Sequence, residues 1–164
     1  MRFTPLLALT GTLLLPLRGL SAQDAVLDSV EVLLRSGAAW QATQLLQPRL
    51  TTVSTRTPEV LIAGARAAAG WQGWSTVWAL LHNQTWLDSR FDGLGHRLLA
   101  EAALANNDTD EALGHARLAL PRTLYTRTDE EMARRWIVLA RAHERGATTD
   151  SAAAAYTRAA PLFP

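Results

Sequence analysis

The chain of 164 residues contains no cysteine and no lysine. Without cysteine it folds without disulfides, has no thiolate zinc site, and offers no acylation point behind an export signal, which excludes a lipoprotein. All 16 basic residues are arginine, and against so much alanine this points to a G+C-biased, bacterial genome. There is no long charged or low-complexity run and no strand-type alternation of useful length. The formal net charge is only +1, so the clustered basic face that nucleic-acid binding needs is missing. No apolar run reaches the roughly 20 residues of a membrane-spanning helix.

The longest apolar run opens the chain. Met1-Arg2-Phe3 is a short basic start, Thr4 to Leu17 is apolar, and Gly19-Leu20-Ser21-Ala22 supplies small residues before Gln23. That is the layout of a secretory signal peptide over residues 1–22, cut after Ala22. An uncleaved anchor is the competing reading, disfavoured by the shortness of the run and by Pro5 and Pro16 within it. The expected location is periplasmic or secreted, with no membrane contact after cleavage. Removing Arg2 and Arg18 leaves 14 arginines against 15 acidic residues, about −1. The mature domain is then residues 23–164, long enough for one core.

From Asp24 onward the sequence divides into eight apolar-periodic segments joined by short turns. Val26, Val30, Leu33 and Leu34 share a helical face that Gly37 ends. Ala42, Leu45, Leu46 and Leu50 share the next, where Pro48 should kink the helix or end it early. Thr57-Pro58 is a helix start, a cap residue followed by proline at the first position. Leu61 to Ala69 is small and apolar, and Gly70-Trp71-Gln72-Gly73-Trp74 is a turn before a return helix from Ser75 to His82. Leu94 to Asn106 follows a looser link. Asp108/Glu111 and Thr128/Glu131 form capping boxes, and Pro121 should stop the helix between them. Met132, Trp136, Leu139, Ala140 and His143 make a buried stripe, Gly146 a stop, and Thr149-Asp150 the cap of a last helix that turns Ala152, Tyr156 and Ala159 inward. This predicts an all-α fold of four helical hairpins, in units of about 24–54, 57–84, 92–121 and 128–164. The pivotal small residues Ala42, Val77, Ala112 and Ala152 are spaced by 35, 35 and 40 residues, a period near that of a 34-residue helical repeat.

Trp136, Leu139, Ala140, His143, Ala152, Tyr156, Ala159 and Pro164 match the spacing of the tetratricopeptide repeat, and the last unit resembles that family. Leu99, Ala100, Ala103, Ala112, Ala116 and Ala119 repeat the match more faintly, while the first two units keep only the hydrophobic skeleton. The resemblance implies a short right-handed α-solenoid whose first helices line a concave face. By position, Arg97 and Glu101 in the third unit, and Arg134, Ile137 and Arg141 in the fourth, would face that groove. The Lys/Asn clamp that grips terminal carboxylates in some family members is absent, but arginine binds carboxylate or phosphate in bidentate fashion. A looser resemblance, by exported context and composition, is to the superhelical N-terminal region of soluble lytic murein transglycosylases. The Glu-Ser and Gly-Leu-Met-Gln motifs of that family's catalytic domain do not occur here, so by that resemblance the chain would be the scaffold part of a cell-wall enzyme.

No catalytic constellation stands out. His82, His96, His115 and His143 fall on different segments and read as packing or surface residues. His143-Glu144 lacks a second histidine at zinc spacing, and Glu130-Glu131 sits where carboxylates suit a helix start. No metal or other cofactor is implied. Of six tryptophans, most read as fillers between alanine-lined helices, with Trp71 and Trp86 as a candidate exposed aromatic patch on which sugar rings would stack. Asn83-Gln84-Thr85 and Asn107-Asp108-Thr109 fit a glycosylation pattern that a bacterial host would not use. Solenoids close with a polar capping helix, and Ala159-Ala160-Pro161-Leu162-Phe163-Pro164 provides none, the ending of a chain that continues or docks there. The functional expectation is an exported, non-enzymatic scaffold for a protein or peptide partner in the cell envelope. The alternative is the accessory part of a transglycosylase acting on cell-wall glycan.

Overall fold

The computed structural model describes residues 18–120 and 128–163. Eight α-helices make up nearly all of it, with no strand among the described residues: α1 (Arg18–Arg35), α2 (Ala39–Thr51), α3 (Pro58–Gly70), α4 (Trp74–Leu81), α5 (Leu94–Ala105), α6 (Thr109–Ala119), α7 (Asp129–Arg145) and α8 (Thr149–Ala159). Residues 1–17 of the expected signal segment, Pro121, the Thr/Arg-rich link after it and Pro164 lie outside the described residues. No described helix is long and apolar enough to cross a membrane.

The helix starts follow local chemistry. Thr57 accepts a hydrogen bond from Val60 N and Pro58 occupies the first helical position of α3. Asp108 Oδ1 accepts from Glu111 N at 3.2 Å, and Thr128 Oγ1 from Glu131 N at 3.4 Å. Three boundaries depart from the sequence expectation. α1 begins at Arg18 rather than Asp24, so the helix runs through the Ala22–Gln23 bond. α2 carries Pro48 within its last turn and continues to Thr51, where the Thr51 hydroxyl bonds the carbonyls of Gln47 and Pro48. The N-cap of α8 is Thr148, not Thr149-Asp150, and its hydroxyl turns back to His143, 2.8 Å from Nδ1 and 3.0 Å from the carbonyl oxygen.

One turn recurs between the helices of each hairpin. Gly37, Gln72, Asn107 and Ala147 all have left-handed backbone (φ 76°, 62°, 60° and 53°), at steps of 35, 35 and 40 residues. Around each, the same two bonds form. Ala38, Gly73, Asp108 and Thr148 donate their backbone N–H to Leu33, Ala68, Ala103 and His143 at 2.8–2.9 Å, and each left-handed residue donates to the carbonyl three before it. This is the Schellman closure of a helix C-terminus, which satisfies carbonyls left without an intrahelical partner. The same closure forms with glycine, glutamine, asparagine and alanine at its centre, so this recurring turn is a property of the backbone.

Packing follows chain order. Each helix packs on its successor, and α1, α3, α5 and α7 pack on one another in turn. The core accordingly falls into three clusters in series. The first joins α1–α3 through Val30, Ala42, Leu46, Val60, Ala63 and Ala67. The second joins α3–α5 through Ile62, Ala65, Val77, Leu81, Leu98 and Leu99, with Leu87 of the link between α4 and α5. The third joins α5–α8 through Ala103, Leu104, Ala112, Val138, Leu139 and Ala155. Trp78 packs against both the second and the third. Alanine at the crossing points lets the helices approach closely, and half-buried indoles fill the wider gaps at their margins. In the last hairpin Leu139, Ala140, Ala152 and Ala159 are buried as the pattern predicts. Met132, Trp136 and His143 are only half-buried. Tyr156 differs from expectation: it is 36% exposed, Ala155 takes the interior place, and the phenol instead donates to Glu144 Oε2 at 2.9 Å.

Candidate functional site

Two adjoining depressions lie along the helices α3, α5 and α7. One, about 560 Å³, is lined by Arg66, Phe91, Asp92, Leu94, Arg97, Thr128, Glu131, Arg134 and Arg135. The other, about 330 Å³, is lined by residues of α1–α3, by Trp74, and by Arg97, Leu98, Glu101 and Arg134. Arg66, Arg97 and Arg134, one from each of three successive first helices, belong to both and form their common wall.

These arginines are held by a ladder of carboxylates that steps from hairpin to hairpin. Arg66 on α3 makes a bidentate pair with Glu31 on α1, at 2.5 and 3.1 Å. That guanidinium holds the Glu31 carboxyl below its ordinary value, with partial burial opposing. Arg97 on α5 donates from Nη1 to Glu101 at 2.7 Å and from Nε to Glu131 on α7 at 3.1 Å. Arg135, 2% exposed, donates Nε–H to the same Glu131 oxygen and Nη1–H to the carbonyls of Asp92 and Ala119. Burial pushes its guanidinium down from its ordinary value, and Glu131 opposes that shift. Thus Thr128 caps the Glu131 amide, while the Glu131 carboxylate serves two arginines. Arg134 is different: its one described partner is Glu130, a turn earlier, and both side chains are more than half exposed. Such a pair is worth roughly 0.3–0.5 kcal/mol, so an incoming carboxylate can displace Glu130 from Arg134 at little cost.

Of the residues expected in a groove, the structure brings Arg97, Glu101 and Arg134 together. Ile137 is half-buried and Arg141 exposed further along α7, and neither lines the depressions. Arg66, Asp92 and Arg135 were not anticipated. Arg66 had a signal, since it stands 35 residues after Glu31 and 31 before Arg97, but its hairpin matches the repeat pattern too weakly to place it by motif. Trp71 and Trp86 lie at different places. Trp71 sits at the α3–α4 turn, edge-on to Trp40 at 5.6 Å with its indole N–H on Thr43. Trp86 lies in the α4–α5 link, half-buried, edge-on to Phe91, with its N–H on Gln84.

A second polar cluster starts one residue along α5 from Arg97. His96, 5% exposed, places Nε2 3.0 Å from Asp88 Oδ1 and Nδ1 3.0 Å from Nδ1 of His115 on α6. His115 Nε2 is 3.6 Å from Glu111, and Trp78 stacks on His82 and meets His115 edge-on. Three histidines that fall on separate segments of the sequence therefore converge. The hairpin itself carries the signal: positions 96 and 115 are nearly symmetric about its turn. Among the described residues no group of three or more His, Asp or Glu side chains is arranged to hold a metal ion. No protein-family model matches the chain, and no curated protein matches it either.

Proposed function

We propose that the chain is an exported, non-catalytic scaffold in which four tetratricopeptide-like hairpins stack as a short right-handed solenoid. The surface shared by α3, α5 and α7 binds a protein or peptide partner, without cofactor or nucleic acid. What supports the stacking is the fourfold recurrence of one turn together with first helices that pack in file. The observation that carries the binding role is the row Arg66, Arg97 and Arg134 across three successive hairpins. Of these, Arg97 is a fixed strut, whereas Arg134 is loosely held and Arg66 partly exposed. Planar guanidiniums at such a wall favour carboxylates on the partner, through paired hydrogen bonds. Export rests on the N-terminal signal layout, and N-terminal sequencing of the mature protein is expected to begin at Gln23.

The test is site-specific photo-crosslinking in the envelope of an expressing cell. A crosslinker at position 134 is expected to trap a defined partner that Arg66→Glu abolishes, while one at position 158 on α8 traps none. Equal trapping at both positions would remove the groove from the account.

A further inference from the structure

The histidine cluster plays no part in that reading, and its geometry sets a limit on how many protons it can hold. Two Nδ1 atoms 3.0 Å apart share a hydrogen bond only if one donates and the other accepts. The outer nitrogens both face carboxylates, Asp88 at 3.0 Å and Glu111 at 3.6 Å. The contact is therefore satisfied with at most three protons on four ring nitrogens. A fourth places N–H against N–H, and two imidazolium rings, stacked with centroids 5.2 Å apart, repel each other across a short contact between mostly buried rings. His96 cannot leave, since it is buried in α5. His115 is 17% exposed on the rim of α6 and is the ring that gives way.

We propose that the His96–His115 pair is an acid-operated latch: uptake of the fourth proton parts the two rings and releases α6 from α5, while the Asp88 carboxylate keeps the α4–α5 link on His96. The link is tied in through Asp88, whose carboxylate holds His96. It ends at Phe91 and Asp92 in the larger depression, and Arg135 Nη1 joins Asp92 O to Ala119 O at the end of α6. The end of α6 that the latch frees thus meets the anchored link at one guanidinium of the arginine wall. The latch stands whether or not that wall has the partner proposed above.

The charged groups acting on His115 are His82 from α4, Asp88 from the link, His96 from α5 and Glu111 from its own helix. Arg66 on α3 is committed to Glu31, and Arg135 on α7 to Glu131 and the two carbonyls. Burial pushes His115 below its ordinary value, His96 and His82 add to the shift, and Glu111 and Asp88 oppose it. A histidine held low in the fold binds its proton more readily in the unfolded chain. The stability it confers is therefore whole above the ordinary histidine value of about 6.5, and is lost as pH falls from there through the folded value.

Urea unfolding of the full chain from about pH 8 to about pH 5 tests this, since the window brackets histidine titration. His115→Asn keeps a hydrogen-bonding group at the Nδ1 position but does not titrate. The folding equilibrium constant of the unaltered protein is expected to fall more steeply with acid than that of His115→Asn, by up to tenfold per pH unit for one proton. The indole N–H resonance of Trp78, which meets His115 edge-on, should move with the same midpoint. Asp88→Asn, which removes a negative charge that favours proton uptake, shifts that midpoint to lower pH. Parallel pH curves for the unaltered protein and His115→Asn overturn the latch. So do a Trp78 resonance that does not respond to pH, or an Asp88→Asn midpoint that stays or rises; this last result decides the matter should His115→Asn fail to fold.

Discussion

At the scale of single residues, one backbone position is filled four times at unequal cost. A left-handed φ is free for glycine, tolerable for asparagine, and costs alanine about 1 kcal/mol or more. Ala147 bears that cost at φ 53°, so Ala147→Gly is expected to stabilise the protein by about 1 kcal/mol in urea unfolding. Gly37→Ala should destabilise by a similar amount, about 1 kcal/mol. A methyl group there would meet nothing within 4 Å, so the effect would be one of backbone conformation alone. Gly114 supplies the control. It lies exposed within α6 with equally open space, and Gly114→Ala should stabilise by about 0.8–1 kcal/mol. The same chemical change would act with opposite sign at the two sites. Glu31 makes a different kind of residue-level prediction. Because Arg66 holds its carboxyl low, the stability of that pair is present above the ordinary glutamate value, about 4.3, and is lost as pH falls through the lower folded value. Arg66→Gln should flatten that acid limb.

At the scale of elements, Arg135 bridges hairpins three and four. Its guanidinium binds the end of α6, the entrance to α5 and the first turn of α7 at once. Arg135→Leu would leave two carbonyls and a shared carboxylate short of a donor, and unfolding should register a loss of about 3 kcal/mol. Repeat position marks Arg134 in the sequence, but nothing there marks its neighbour Arg135 as buried, since that depends on what other elements bring to its side of α7. Helix existence was far more legible, because the signals at Thr57-Pro58, Asp108 and Thr128 act within one turn of chain. The miss at α8 shows the limit of such signals: Thr148, Thr149 and Asp150 are all competent caps, and His143, five residues earlier, engages the first. The start of α1 was misplaced because the small and apolar residues after Arg18 fit a cleavage site and a helix alike. The candidate site was legible where the repeat spacing could be followed, at Arg134 in the fourth unit and, more faintly, at Arg97 and Glu101 in the third. It was illegible at Arg66, whose hairpin lacks the aromatic landmarks, and among the histidines, whose meeting depends on two helices folding back on each other.

At the scale of the whole molecule, three clusters in series replace a single centre, and stability should be distributed accordingly. Leu46 is fully buried in the first cluster and Val138 almost so in the third. Leu46→Ala is expected to cost about 2–5 kcal/mol, and combined with Val138→Ala the two losses should add to within about 0.5 kcal/mol. Marked non-additivity would mean a shared centre and would count against the solenoid reading. Among the described residues the first and fourth hairpins each pack on fewer neighbours than the inner two, and amide exchange should rise first there. The recurring turn carries a further consequence. Because Gln72 and Asn107 hold the same backbone geometry 35 residues apart, a duplicate of residues 72–106 inserted after Asn106 would start and finish on junctions the chain already makes. The molecule contains the splice sites for its own lengthening, and one more pair of rods could be added to the row without inventing a joint.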